Sequence, residues 1–168
     1  KIRDIAIKHF IDSLIILRFT KLSFPLLDVG TGPGFPGIPL KIQFPEQRIL
    51  LAEGVQKRVQ FLKKVREELD LKELDILGRY IHKDFSLPVN GVITRAVEDI
   101  GLTLGNVWNC LPAGGKVFLM KGPQVDHELK ISQKDWAGRY KLVENHSYIL
   151  PNTPHQRRLI VFEKVNNT

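Results

Sequence analysis

The stretch Asp28-Val29-Gly30-Thr31-Gly32-Pro33-Gly34 decides the fold prediction. Its first two residues end an apolar run over residues 24–29, and its glycines follow that run directly. An apolar run that ends abruptly at glycine is typical of a buried strand, and ligands of parallel sheets bind beyond the carboxyl ends of such strands. Glycines at this place let the backbone turn tightly, and they let a ligand approach without obstruction by a Cβ atom. The stretch therefore predicts a ligand-binding loop after the first strand of a parallel sheet.

Strand and helix patterns alternate downstream of this loop. Strands are predicted over residues 24–29, 48–53, 74–77, 91–94 and 116–120, and helices over 2–18, 37–44, 55–69, 97–111 and 125–136. We interpret the central part as a strand followed by a helix, five times over. Two extended segments, 140–150 and 159–164, end the chain as a hairpin. The pattern predicts an α/β fold: a doubly wound, mostly parallel sheet of seven strands, a C-terminal antiparallel hairpin and an N-terminal helix.

Bulk composition bounds the class of protein. The chain carries a net charge of +7, which favours anionic partners such as nucleic acid. Cys110 is the only cysteine, so no intramolecular disulfide is possible, and the histidines have no ligand spacing, so we expect no metal site. Because no apolar run approaches ~20 residues and no signal-peptide pattern is present, we expect a cytoplasmic protein without a membrane span.

The length of the chain predicts its organisation. With 168 residues, we expect a single domain with a helical flank over residues 1–20 and a Rossmann-like core over 24–168. No coiled-coil repeat is present, so we expect a monomer. Since the chain opens on a charged stretch without an initiator methionine, we expect the natural protein to extend beyond Lys1.

The glycine loop is compatible with two cofactors. The spacing Gly32-x-Gly34-x-x-Gly37 matches the dinucleotide fingerprint. The strand ends at Gly30, however, and prolines at positions 33, 36 and 39 limit the helix amides that would hold a pyrophosphate. S-adenosylmethionine has no phosphate, and its positive groups favour acceptors such as Asp28. The loop therefore favours S-adenosylmethionine without excluding NAD.

Glu53 is the second part of the predicted cofactor site. It lies at the end of the second predicted strand, where a carboxylate can accept both hydroxyls of a ribose. Enzymes that use S-adenosylmethionine and enzymes that use NAD both have an acid at this place. Taken alone, Glu53 could equally be a solvated residue at the end of a strand. Beside Asp28 and the glycines, the cofactor interpretation is favoured.

Several longer motifs cover nearly the whole chain in order. They are His9-Phe10-Ile11-Asp12-Ser13, the loop continued through Phe35-Pro36-Gly37-Ile38-Pro39, Lys57-Arg58-x-x-Phe61-Leu62, Thr94-Arg95-Ala96, Leu119-Met120-Lys121-Gly122 and Arg157-Arg158-Leu159-Ile160-Val161. In these motifs the chain resembles the bacterial small-subunit ribosomal RNA 7-guanosine methyltransferases called RsmG, formerly glucose-inhibited division protein B. The prolines of the loop are far more specific than a bare glycine motif.

The resemblance implies an enzyme that transfers a methyl group from S-adenosylmethionine to N7 of a guanine in 16S ribosomal RNA, with that RNA or the small ribosomal subunit as partner. Together with the loop, it implies a cofactor site of Asp28, Gly30, Gly32, Gly34, Phe35, Glu53, Tyr80, Ile81 and Arg95. We expect Arg95 and Lys121 to position the substrate for catalysis. The alternatives are a structural ion pair for Arg95 and a solvated side chain for Lys121. His9, Asp12, Ser13 and Arg157 are the expected substrate contacts. Without the resemblance, a surface cluster on one side of the helix is the favoured interpretation of the first three.

Two departures from the family pattern stand out. Ile81 occupies a position where the family usually has an acidic residue, so the adenine contact here falls to a backbone amide or cofactor affinity suffers. The N-L-T motif of the family's N-terminal helical segment is absent, and RNA-binding surface is expected to be lost with it.

The implied chemistry needs few special side chains. N7 of guanine bears a lone pair and no proton, so its methylation requires positioning and no general base. The D/N-P-P-Y/F signature of amino-group methyltransferases is absent after the fourth predicted strand. Two other hypotheses stay open: an NAD(P)-dependent oxidoreductase using Gly32, Gly34 and Gly37, and a catalytically silent RNA-binding protein of the same fold.

Overall fold

A computed structural model of the chain describes residues 1–95 and 98–166. The strands are β1 Leu26–Val29, β2 Ile49–Ala52, β3 Leu74–Leu77, β4 Gly91–Thr94, β5 Lys116–Lys121, β6 Tyr140–Ile149 and β7 Gln156–Lys164. The helices are α1 Ile2–Leu14, α2 Gly37–Gln43, α3 Gln56–Glu68, α4 Ile100–Asn106 and α5 Asp126–Asp135. Short 3₁₀ turns cover Ile15–Arg18 and Trp108–Cys110.

All seven strands belong to one sheet, in the order β3-β2-β1-β4-β5-β7-β6. β1 pairs in parallel with β2 and β4, and the chain crosses over at this point in the sheet. β7 runs antiparallel between β5 and β6, so the hairpin closes one end of the sheet. The predicted fold class, a Rossmann-like methyltransferase fold with a C-terminal hairpin, is confirmed.

Two apolar clusters cover the two faces of the sheet. Leu26 and Leu27 are adjacent in β1 and belong to different clusters, because successive side chains of a strand point to opposite faces. Leu26 packs with residues of α2 and α3, and Leu27 packs with residues of α4 and α5. The helices therefore flank the sheet and leave the carboxyl ends of β1, β2, β4 and β5 on one common edge.

The predicted repetition of a strand and a helix five times is wrong between β3 and β4. Residues 78–90 form a loop, in which both carboxylate oxygens of Asp84 accept from the Arg79 guanidinium at 2.9 and 3.0 Å. Ile81 and Phe85 anchor this loop by burying their side chains in the core. The predicted helices include none in this segment, and Pro88 disfavours helical geometry at the residue before it.

Two predicted helices are shorter in the structure. Of the helix predicted over 97–111, residue 97 lies outside the described residues, α4 begins after the capping Asp99, and a 3₁₀ turn replaces the end. Glycines at positions 101 and 105 lower helix propensity there. The helix predicted over 2–18 ends at Leu14, and Ile2 and Ile5 at its start remain exposed. Among the described residues, no helix is long and apolar enough to cross a membrane.

Candidate functional site

Asp28, the third residue of β1, braces the glycine loop from below. Its Oδ2 accepts from the Thr31 hydroxyl at 2.7 Å and from the Gly37 amide at 2.8 Å, which ties both ends of the loop to the strand. The side chain is fully buried, and its Oδ1 has no hydrogen-bond partner among the described residues. The carboxyl group lies under the loop, while the cofactor contact predicted for it requires access from the open side.

Burial raises the pKa of Asp28 from 3.8 to about 7, against the opposing effect of the bonds from Thr31 and Gly37. The folded protein therefore holds this proton more tightly than the unfolded chain does. The resulting stabilisation is fully present below about pH 4 and is lost as the pH rises through about 7.

Replacing Asp28 by asparagine should remove this pH dependence, since an amide does not ionise. We expect the free energy of unfolding of the wild type, relative to that of Asp28→Asn, to fall as the pH rises from about 4 to about 7. Urea denaturation of both proteins across this range measures the difference. Carboxylates common to both proteins cancel in it, and parallel curves would contradict the raised pKa.

The loop itself is an open cradle of backbone. Gly30 and Gly32 have positive φ angles of 66° and 61°, which side-chain-bearing residues rarely adopt. A Cβ atom at either position would meet no atom within 4 Å, so the space above the loop is free. Gly34 follows with a φ of 108°. Phe35, at the end of the loop, faces α1.

Gly37 serves a different purpose, because it lets α2 begin directly against β2. A Cβ atom there would lie 2.2 Å from a Leu51 methyl carbon and 2.8 Å from Asp28 Oδ2. We expect Gly37→Ala to lower the free energy of unfolding by about 1–3 kcal/mol through overpacking, measured by urea denaturation. Gly78→Ala is the matched control, since the nearest atom to its new Cβ would be at 3.6 Å. Equal stability of the two variants would refute the close contact.

Glu53 follows β2 and joins the loop to α3. Its Oε1 accepts from the Gly32 amide at 2.9 Å, and its Oε2 accepts from the Val55 amide at 2.8 Å. The Arg58 guanidinium lies 3.8 Å from Oε2, and the Glu53 side chain is only 4% exposed. The carboxylate is thus held at the edge of the glycine cradle in one orientation.

The loop after β3 contains two further residues predicted to bind the cofactor, Tyr80 and Ile81, and their side chains point in different directions. The ring of Tyr80 is largely exposed and packs on the backbone of Gly54, where a Cβ atom would overlap it. Ile81 turns into the core and is buried. Only backbone atoms of Ile81 are therefore available to a ligand on the surface of this loop.

Arg95 follows β4 and contacts both α1 and the glycine loop. Its Nη1 lies 3.3 Å from His9 Nδ1 and 3.5 Å from Asp12 Oδ2, and its guanidinium carbon lies 5.5 Å from the centre of the Phe35 ring. His9 stacks on the same ring with centroids 5.1 Å apart. Burial, followed by the charge of Arg95, lowers the pKa of His9 below 6.5. A neutral His9 can accept from Arg95, which places its own proton on Nε2.

Asp12 connects Arg95 to the start of the C-terminal strand β7 in space, because its carboxylate contacts arginines at both places. While Oδ2 faces Arg95, Oδ1 lies 3.4 Å from Nε of Arg157 at the start of β7. Both arginine side chains remain about one-quarter exposed. One buried carboxylate therefore holds two arginines from different strands at the same edge of the sheet.

These residues surround a cavity of about 340 Å³, which we call the central cavity. Its wall includes His9, Asp12, Arg95, Met120, Lys121 and Arg157. An adjoining cavity of about 410 Å³ shares Arg95 and Lys121, and Glu128 also lines it. The carboxyl ends of β4 and β5 thus open onto two adjoining cavities, which Arg95 connects to the glycine loop through its contact with the Phe35 ring.

Lys121 and Ser13 are more constrained than their predicted roles suggest. Lys121 Nζ donates to the Glu98 carbonyl at 2.7 Å and lies 3.4 Å from Glu128 Oε1. Ser13 is fully buried, and its hydroxyl donates to the His9 carbonyl within α1. The structure thus brings Lys121 to the cavity wall, and it does not bring Ser13 there.

Glu128 and Met120 are cavity residues that sequence reasoning did not assign to the site. Glu128 lies in the first turn of α5, where an acid is usual and carries no functional signal. Its role at the wall depends on contacts with Lys121 and the Ile100 amide, which are distant in sequence.

Comparison with known proteins matches residues 1–159 to the family model described as GidB, rRNA small subunit methyltransferase G. Ribosomal RNA small subunit methyltransferase G 2 of Bdellovibrio bacteriovorus is 65% identical over 99% of this chain and 66% of its own length. The protein of the same name from Syntrophobacter fumaroxidans is 44% identical over 96% of this chain and 32% of its own length. The chain therefore spans about two thirds and one third of these two relatives.

Among solved structures, the fold is similar to that of M. jannaschii TYW2 in complex with AdoMet, with a TM-score of 0.68 at 15% identity. The match covers 94% of this chain and 77% of that one, and it concerns the fold alone. The family model and the sequence relatives agree over nearly the full length. The chain belongs to the GidB family of rRNA small subunit methyltransferases G.

Proposed function

We propose that this chain transfers a methyl group from S-adenosylmethionine to N7 of a guanine in 16S ribosomal RNA. The observation that carries the proposal is the juxtaposition of an open glycine cradle, edged by the Glu53 carboxylate, with a cavity walled by Arg95 and Arg157. Membership of the family supports the reaction and the class of RNA.

The residues of the cradle fit S-adenosylmethionine. The free space above Gly30 and Gly32 admits the amino-acid part of the cofactor, and Glu53 is placed to accept from ribose hydroxyls. The exposed Tyr80 ring offers a surface to the adenine, with the backbone of Ile81 beside it. When bound, the cofactor supplies an electrophilic methyl group. Asp28 keeps the cradle in shape from below.

The same loop fits a dinucleotide poorly. A pyrophosphate needs free amides at the start of the following helix. The Gly37 amide donates to Asp28, the Ile38 amide donates to the Gly34 carbonyl at 2.7 Å, and Pro39 has no amide hydrogen. The first turn of α2 therefore has no free donor at these three positions, which disfavours the oxidoreductase alternative.

The central cavity supplies donors suited to guanine. N7 and O6 of guanine are both acceptors, whereas adenine presents its N6 amino donor at the corresponding edge. Arg95 and Arg157 are donors only, so they can orient guanine through O6 and the phosphate while N7 stays free to attack. His9 and Asp12 hold Arg95 in place, and Lys121 adds positive charge to the wall.

We further propose that residues 1–20 flank a single methyltransferase domain over 24–168. The proposal includes action as a monomer in the cytoplasm, with the small ribosomal subunit or its RNA as partner. The continuous sheet from β3 to β6 supports the single domain.

The experiment that tests the function is methyl transfer from labelled S-adenosylmethionine to small-subunit RNA from cells lacking the enzyme, both naked and in assembled subunits. Digestion and nucleoside analysis identify the product. Label in 7-methylguanosine is expected. Label in another nucleoside would retain the reaction and reject the target, and tight cofactor binding without transfer to either form would favour the silent RNA-binding alternative.

A further inference from the structure

A separate cavity of about 340 Å³ lies on the C-terminal hairpin, and we call it the hairpin cavity. Its wall includes Pro123, Ser147, Tyr148, Ile149, Gln156 and Arg157, together with Arg158. Arg157 also lines the central cavity, so the two cavities share this residue. Apart from Arg157, the residues of the hairpin cavity take no part in the function proposed above.

The two arginines of this cavity are held by side chains that do not line it. Arg158 donates to Asp126 Oδ1 at 2.9 Å and to Asn145 Oδ1 at 2.8 Å. Arg157 is held through its Nε by Asp12. No acidic side chain is among the described residues that line the cavity. The carboxylates that pair with the two arginines, Asp126 and Asp12, therefore lie outside the wall of this cavity.

The remaining wall combines an apolar surface with neutral polar groups. Ile149 is 60% exposed in the last position of β6, and Ser147 and Gln156 beside it are exposed as well. An exposed apolar side chain can cover the face of a base, while a hydroxyl and an amide can bond to its edge. Cations beside such a surface are the usual contacts of a nucleic-acid backbone.

Resting on the proposed function, we infer that the hairpin cavity binds the nucleotide adjoining the target guanine in the same RNA strand. Arg157 contacts the phosphate that links the two nucleotides, because it is the wall residue common to both cavities. Ile149 covers the neighbouring base, and Gln156 bonds to its edge. A guanine turned into the central cavity leaves its neighbour unstacked, and the hairpin supplies a replacement surface.

Methyl-transfer kinetics with Ile149→Ser test this subsite. The substrate is 16S RNA ligated from transcribed and synthetic pieces. It is used naked or in assembled subunits, according to which of the two the wild type methylates. We expect KM for the RNA to rise about fivefold from the lost apolar contact, with kcat within about twofold of the wild type. Ile42→Ser is the matched control, because Ile42 is 49% exposed at the end of α2, away from both cavities. Thermal unfolding of both variants verifies that the hairpin remains folded.

A second RNA series assigns the effect to the neighbouring base. An abasic nucleotide is placed immediately 5′ or 3′ of the target guanine, and one of the two positions is expected to raise the wild-type KM about fivefold. On the RNA with the abasic nucleotide at that position, the KM of Ile149→Ser should be no higher than that of the wild type. Equal KM values for Ile149→Ser and the wild type, or a penalty that persists on both abasic RNAs, would overturn the subsite alone. Absence of methyl transfer by the wild type to any RNA would overturn the proposed function and the subsite with it.

Discussion

Replacing Glu53 by alanine is expected to weaken binding of S-adenosylhomocysteine about 100-fold. Hydrogen bonds to a charged group contribute about 1.5–3 kcal/mol each, and the proposed ribose contact uses such bonds. The substitution also frees the amides of Gly32 and Val55, which Glu53 now holds at 2.9 and 2.8 Å. The lost ribose contact and the loosened loop both weaken cofactor binding. Isothermal titration calorimetry with S-adenosylhomocysteine measures the affinity.

Two further variants separate the ribose contact from the support of the loop. Glu53→Gln keeps one carbonyl acceptor without the charge, so its affinity should lie between those of the wild type and Glu53→Ala. Glu68→Ala removes an exposed glutamate from the end of α3 and should bind like the wild type. Unchanged affinity in Glu53→Ala would show that the ribose lies elsewhere, and a titration with NAD on the same proteins tests the competing cofactor.

The strands were predictable because their signal is local. The segments 74–77 and 91–94 have the predicted bounds, since short apolar runs between turn residues specify buried strands with little help from the rest of the chain. The length of the helix predicted over 97–111 was overestimated, because the prediction used the local apolar spacing alone. Apolar residues at helical spacing continue through 111, but the two glycines and the turn at Trp108–Cys110 shorten it.

Part of the site was predictable from topology alone. Residues that follow parallel strands meet at one edge of the sheet, so Gly30, Glu53 and Arg95 were expected to lie near one another. The pairing of Asp12 with Arg157 had no such signal, because it depends on how α1 packs across the sheet to the start of β7. The resemblance to the family named both residues without indicating that they touch.

Buried lysines illustrate the same limit. Lys41 is almost fully buried because its Nζ donates to the carbonyls of Gln47 and Glu73 at 2.6 and 3.2 Å. Lys164 likewise donates to the carbonyls of Trp108 and Leu111 at 2.8 and 2.7 Å. Lysine is almost never buried without partners, and these partners come from distant segments. A sequence pattern that assigns lysine to the surface cannot find them.

Replacing Arg95 by alanine is expected to lower kcat/KM for the RNA about 100-fold, the loss typical when a reacting group is no longer positioned. The guanidinium lies between the Phe35 ring at 5.5 Å and Asp12 Oδ2 at 3.5 Å, so it connects the glycine loop to the central cavity. Arg95→Lys keeps the charge but lacks the planar group that faces the ring, and its activity should be intermediate. Single-turnover methyl transfer measures the effect.

The effect should extend through Asp12, because the same carboxylate also holds Arg157. Asp12→Asn alone weakens both ion pairs, whereas in the Arg95→Ala background only the pair with Arg157 is left to lose. We therefore expect the double variant to be more active than the product of the two single effects predicts. Arg48→Ala is the control, since Arg48 pairs with Asp75 at 2.8 Å on the far strands and should leave turnover unchanged. Wild-type turnover in Arg95→Ala would remove Arg95 from the reaction, and strictly multiplicative effects would show that Asp12 does not act through the two arginines.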